Sequence, residues 1–589
     1  MTFKETLAFF WTHLKQEKLK FLISGLGIVV STFFAVISPR YLGRAIEELV
    51  NYVGIHFSGG QASLSDFHGI LGLLILFALF NGLAGGIQIF FIASASGHTT
   101  NRMSIGMFKK IQKLAIRFFD TRTDGDLLSR FTSDMNNISN ALQQYLIQIA
   151  SNLAMMIGVV IMMFLDSPTL GWVVLSTAPI AWMIAVFIVR QAKKHADLRQ
   201  DNLGKLNGFI NEKISSQKII LANGLEEETV SAFHLQNEDV RKNSYKNAVF
   251  SGLLFPMMTG ISLLNIAMVI FVGGYLALAP SVDRAVALAL IVVFVQYSQS
   301  FYRPLTEVSS QYSMMQLAFV GARRVKEVLD EADEPGHSNT KTLPTMTKEF
   351  SLRDVNFGYV PDKPVLKNLN MDIYKGKMVA VVGPTGSGKT TIMNLINRFY
   401  DVDSGAVLID GQNIQDFSVE SVREQIGIVL QDSVIFTGTI RENIAFSKPT
   451  ATQEEIEQAA RMAHIHDFIM SQPDGYDTHV SEETSVFSTG QKQLVSIART
   501  IMTDPSLLIL DEATSNVDTV TESKIQAAMD NIIQGKTSLV IAHRLKTILK
   551  ADHIIVLHEG TTLEEGNHKQ LLAKNGFYAE LYRNQFVID

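Results

Sequence analysis

The chain has 589 residues, room for two or more domains, and its 47% hydrophobic content with 36 Phe points to lipid rather than to a purely soluble chain. Its 57 acidic and 51 basic residues leave a net charge of −6, which gives no global attraction to nucleic acid. No cysteine is present, which excludes a disulfide framework, a zinc–thiolate site and a cysteine nucleophile.

Residues 1–20 mix aromatics with Lys4, Lys15, Lys18 and Lys20, a pattern that suits a short amphipathic helix at a membrane surface. Six tracts without a formal charge follow, at 21–39, 69–97, 136–165, 167–189, 247–282 and 285–302. Each meets or nearly meets the roughly 20 residues that a spanning helix needs, and the first is expected to run on past Arg40. Lys and Arg concentrate in the connections 98–135 and 190–246, whereas the links near 51–68, at Asp166 and at 280–284 are nearly free of them. The positive bias therefore places both termini and the two long connections in the cytoplasm, where they extend the helices beyond the bilayer. The absence of Asp, Glu, Lys and Arg from the central tracts counts against coupling to an ion gradient. Met155, Met156, Met162, Met163, Met257 and Met258 either line an adaptable apolar surface or pack a core. Pro335, Gly336, Ser338, Asn339 and Pro344 mark a linker. The expected division is a surface segment at 1–20, a six-span domain at 21–330, a linker at 331–346 and a further domain at 347–589.

In that last domain an apolar run, residues 378–382, feeds Gly383-Pro384-Thr385-Gly386-Ser387-Gly388-Lys389-Thr390, followed by Thr391 and a helix-compatible stretch. The spacing is that of a P-loop, in which backbone N–H groups at a helix start surround phosphate oxygens. Lys389 then reaches the β- and γ-phosphates and the Thr390 hydroxyl holds Mg²⁺. Further on, the apolar Leu507-Leu508-Ile509-Leu510 ends in Asp511-Glu512. Two carboxylates at a strand end beside a phosphate loop suit metal positioning by Asp511 and water activation by Glu512.

With these motifs in order, the sequence resembles an ATP-binding cassette exporter half-transporter over nearly its whole length, most specifically from Phe350 to His543. The resemblance implies an α-helical six-span transmembrane domain of exporter type followed by an α/β P-loop cassette, with ATP and Mg²⁺ as cofactors. It also implies that Tyr359 stacks on adenine and that Gln431 links the γ-phosphate and Mg²⁺ to the membrane domain. His543 contacts the γ-phosphate, and Asp511 acts on Mg²⁺ indirectly. Ser515-Asn516-Val517-Asp518 matches the segment that communicates across a nucleotide-sandwich dimer, while 120–131 and 212–226 resemble the two coupling regions. The signature, usually Leu-Ser-Gly-Gly-Gln, is Phe487-Ser488-Thr489-Gly490-Gln491 here, so Ser488, Gly490 and Gln491 would hold a nucleotide bound to a partner. Thr489 is the departure, expected to restrict a backbone position usually left to glycine, and the residues from Ser481 to Thr484 also lack the usual glycine.

The expectation that follows is ATP-driven export of hydrophobic or amphipathic compounds across a bacterial cell membrane. Multidrug efflux is the favoured form, as one half of a heterodimer whose other chain has a degenerate catalytic site. The alternatives are a lipid or lipopeptide flippase, possibly homodimeric, and more remotely a nucleotide-gated channel or regulatory membrane module.

Overall fold

The computed structural model describes residues 3–61, 63–278, 283–430, 433–481, 486–511, 518–541 and 545–586. The chain folds as two compact units, Met1–Ile111 with Asp124–Asp330, and Gln112–Thr123 with Glu331–Asp589.

The first unit is helical because its long apolar tracts, once in lipid, must satisfy every backbone polar group within themselves. Among the described residues, six helices are long and apolar enough to cross a membrane, including Ala8–Phe57, Ser65–Ile111, Glu226–Ala277 and Arg284–Glu307. The fifth spans 52 residues, about 78 Å at 1.5 Å per residue, against a hydrocarbon thickness of about 30 Å. The first continues past Arg40 through Pro39 to Phe57, and Arg40 pairs with Asp166 at 3.2 Å. The expected fifth tract reaches Val282, which lies outside the described residues. At the N-terminal end, Phe3–Leu14 is a helix, overlapping the start of the first span, that buries Phe9 and Phe10 and exposes Trp11. Met163 and Met258 are fully buried in the membrane unit's core, with Met155, Met156 and Met162 packed against it; Met257 is exposed.

The fourth span breaks at Thr177, between Pro168–Ser176 and Ala178–Ser215. Such a break leaves backbone carbonyls in need of donors. Asn265 Nδ2 donates to Val174 O at 3.1 Å and to Thr177 Oγ1 at 2.8 Å, and Tyr302 donates to Val174 O at 3.2 Å. Ser298 Oγ in turn donates to Asn265 Oδ1 at 2.7 Å. Asn265 and Ser298 are fully buried, so the polar groups of three spans satisfy one another.

In the second unit, five parallel strands lie in the order Ile426–Val429, Leu507–Asp511, Thr537–Ile541, Met378–Val382 and His553–His558, with Thr561–Gly566 antiparallel at the edge. Both faces are covered, which is why these strands are near-continuous apolar runs. Ala380, Leu510 and Val540 point into one core, and Val381, Ile509 and Leu539 into the other. A second, antiparallel sheet orders Leu366–Tyr374, Glu349–Phe357, Ser404–Ile409 and Gln412–Asn413.

Residues 331–346, with the composition of a linker, pack onto this unit. Leu343 and Met346 are buried, and Arg423 makes a two-pronged pair with Glu334 at 2.6 and 3.1 Å. Where this stretch enters the antiparallel sheet, the Asp410 carboxylate accepts from the N–H groups of Thr347, Lys348 and Glu349 and from the Thr347 hydroxyl, at 2.6–2.9 Å. Burial alone would raise the Asp410 carboxyl, but the bonds from Thr347, Glu349 and Lys348 outweigh it and hold the pKa at about 2. The stabilisation is therefore complete above the unfolded value near 3.8 and is lost as pH falls towards 2. Discounted for partial exposure, it is on the order of 1 kcal/mol. Asp410→Ala should lower the cassette's unfolding temperature in the full-length protein at pH 7, and the difference from the unaltered chain should shrink as the pH approaches 3.

Candidate functional site

Three neighbouring parallel strands end together. Ile541 pairs in register with both Val381 and Asp511, so the chain leaves the sheet at Val382, Asp511 and Ile541 along one carboxyl edge. Crevices at such edges are where open α/β sheets bind ligands.

Beyond Val382 the loop closes tightly. A Cβ at Gly383 would stand 2.4 Å from the Leu557 carbonyl, so only glycine fits without displacing backbone. Gly388, at φ +106°, caps the eight-residue helix Lys389–Ile396, where a side chain would be strained and its Cβ 2.7 Å from Leu366. Lys389 is buried, its Nζ donating to Gly383 O at 2.8 Å and Pro384 O at 3.0 Å. Burial lowers its pKa and the nearby Asp511 partly offsets this. Ser387 is 3% exposed, and among the described residues its Oγ has no hydrogen-bond partner. An orphaned hydroxyl and a buried lysine whose ammonium is held by loop carbonyls, at the start of a helix, fit a phosphate chain. Thr385, Gly386 and Thr390 are exposed on this loop, Pro384 is half-buried, and Thr391 is buried beneath it. Asp511 is buried at its strand end. Among the described residues, no group of three or more His, Asp or Glu is placed to hold a metal ion.

Tyr359 is half-buried. Its hydroxyl accepts from Asn394 Nδ2 at 2.9 Å and donates to Thr391 Oγ1 at 3.3 Å, which ties it to the helix that follows the P-loop. Its ring meets Phe357 and Tyr400 edge to face, both at 5.1 Å. The short helix Ile116–Asp120 belongs to the same unit, and Arg117 donates to the Tyr359 carbonyl at 3.2 Å. Of the coupling region expected at 120–131, residues 120–123 belong to this unit and Asp124 onward to the membrane unit. A five-residue helix has no periodicity to reveal it in a sequence.

Ser488 caps the helix Thr489–Thr503 reciprocally with Gln491, at 3.3 and 2.8 Å. Thr489 is the first helical residue and is exposed, and Gly490 is buried. Position 489 is not among those of positive φ, which corrects the expectation of a restricted backbone: a β-branched residue is at ease there, and its consequence is an added exposed methyl and hydroxyl. Asp518 caps Thr519–Ile533, accepting from Val520 and Thr521 N–H groups. Gln431, Glu512, His543, the segments 482–484 and 515–517 lie outside the described residues.

Two family profiles match the chain, "ABC transporter transmembrane region" over residues 21–301 and "ABC transporter" over 366–515. A fatty acid ABC transporter ATP-binding/permease protein of Mycobacterium bovis is 36% identical, covering 96% of this chain and 94% of its own. The chain belongs to the ABC transporter family. An ATP-dependent lipid A-core flippase of Vibrio parahaemolyticus is 33% identical over 99% of this chain and 98% of its own. A bacterial Atm1-family ABC exporter solved with ATP bound superimposes with a TM-score of 0.76 at 27% identity, covering 96% of this chain and 98% of its own. The ABC transporter described here is thus a multi-pass membrane protein with a cytoplasmic ATP-binding domain, an ATPase coupled to transport that uses ATP and Mg²⁺.

Proposed function

We propose that this ABC transporter moves an amphipathic lipid or lipid-like compound across the membrane at the expense of ATP. The observation that carries this reading is near-full-length similarity to relatives named for fatty acid and lipid A-core. The membrane unit supports it physically, because Asn265, Ser298, Thr177 and Tyr302 spend their hydrogen bonds on one another and on backbone. What they leave for a cargo is apolar surface, suited to acyl chains.

In the proposed division of labour, the N–H groups from Gly386 to Thr390 and Lys389 hold the phosphates. Thr390 and Gln431 face Mg²⁺, Asp511 acts on it indirectly, Glu512 orients and deprotonates the attacking water, and His543 contacts the γ-phosphate. Tyr359 carries the adenine. Ser488, Gly490 and Gln491 complete the site of a second cassette, so the working unit contains two. The proposed boundaries keep 21–330 as the transmembrane domain and 347–589 as the cassette.

The second reading, a multidrug exporter paired with a different chain, is favoured by Thr489 alone. Its side chain projects from the helix start that the family uses on a partner's nucleotide, so a homodimer would carry this obstruction at both sites. Purified in nanodiscs, the chain alone should hydrolyse ATP and respond to a long-chain acyl lipid by at least a twofold rise in turnover. Turnover that needs a second, different chain and responds to apolar cations but to no lipid would favour the second reading instead.

A further inference from the structure

Tyr359 is braced from several sides. Asn394 and Thr391 hold its hydroxyl, Phe357 and Tyr400 close on its ring, and Arg117 holds its backbone carbonyl. Tyr400 is itself fixed by its hydroxyl, which donates to the Asp120 carboxylate. Burial first, and Asp120 second, push the Tyr400 phenol upward, so it stays a neutral donor throughout the physiological range. Around this cluster a cavity of about 190 Å³ is lined by Arg117, Phe357, Tyr400 and Glu334, among others. Two of the braces therefore come from Ile116–Asp120, a segment more than two hundred residues away in sequence that joins the second and third spans.

We infer that Arg117 and Asp120 are positioning residues of the nucleotide site, which set the affinity for the purine base by fixing Tyr359 through its carbonyl and through Tyr400. The inference rests on the proposed role of Tyr359 as the adenine platform. Stacking depends on ring offset and tilt, so a platform free to rock holds a base less well, while the phosphate loop, anchored by Lys389, is untouched. By linkage, a bound purine favours the seated form of the 116–120 helix as much as that form favours the purine. A nucleotide whose base stacks poorly has little to gain from either.

The test compares Mg-ATP with Mg-UTP on the full-length transporter. Arg117→Ala and Asp120→Ala should each raise KM for ATP by about 3- to 10-fold, the effect of one lost hydrogen bond, with kcat within about twofold and KM for UTP unchanged. Tyr400→Phe, which removes a single oxygen, should shift KM for ATP in the same direction and serves if the alanine variants fold poorly. Asp120→Asn, still able to accept from Tyr400, should keep most of the affinity. Unchanged KM for ATP in all three weakening variants, or equal losses for ATP and UTP, would overturn the inference. Tyr359→Leu separates the two claims: if it weakens ATP binding while the Arg117, Asp120 and Tyr400 variants do not, only the inference fails. If it leaves ATP affinity unaltered, the platform reading fails and the inference with it.

Discussion

Glu512→Gln should lower ATP turnover by about 10²- to 10⁴-fold, the range a positioned general base supplies, while Mg-ATP still binds within a few-fold of the unaltered affinity. The residue follows Asp511 in sequence, and Asp511 ends a fully buried strand on the sheet edge where the P-loop also emerges. Exchange of its carboxylate for the isosteric amide removes basicity and little else. Binding and turnover are to be measured on the same preparation, with the substitution in every copy of the chain. Turnover at the original rate would remove Glu512 from the mechanism.

Lys389→Met should separate stability from binding. In the fold, Nζ gives its hydrogen bonds to the loop carbonyls of Gly383 and Pro384, and burial disfavours its charge. Methionine removes that desolvation cost and leaves two carbonyls less well satisfied, effects of opposite sign that offset to within about 1 kcal/mol. The unfolding temperature should hardly move. Affinity for Mg-ATP should fall by about 10- to 150-fold, corresponding to a lost charge-assisted bond. Loss of fold together with binding would show that the lysine is a structural strut.

The spans were legible because the bilayer imposes a length and a composition, and a run such as 247–282 satisfies both. Their extension beyond the bilayer was legible too, from the long basic connections, and Glu226–Ala277 does start well before its apolar tract. Only the residue where each extension begins was not, since a polar helix has no hydrophobic signal of comparable strength. The P-loop was legible since each glycine answers a local demand, as Gly383 does against Leu557. Thr489 shows where motif comparison misleads. The Ser488 and Gln491 pair, a capping box, already places the next residue inside a helix, and that local rule outweighs an analogy with glycine. The Asn265 network went unread, although an Asn in an apolar tract and Pro179 soon after Thr177 were its available signals. The links from Arg117 and Asp120 to the Tyr359 cluster join positions with no shared pattern, so only the fold brings them together.

The central claim is movement of an amphiphile, and transbilayer assay tests it most directly. In proteoliposomes with the cassette outward, a fluorescent long-chain acyl lipid starts in the leaflet that corresponds to the cytoplasmic side. Added Mg-ATP should carry it inward, protecting it from a membrane-impermeant quencher, and Glu512→Gln vesicles should show no such ATP-dependent protection. Brisk ATP hydrolysis with protection no greater than in Glu512→Gln vesicles, across acyl lipids of differing headgroup, would contradict the account.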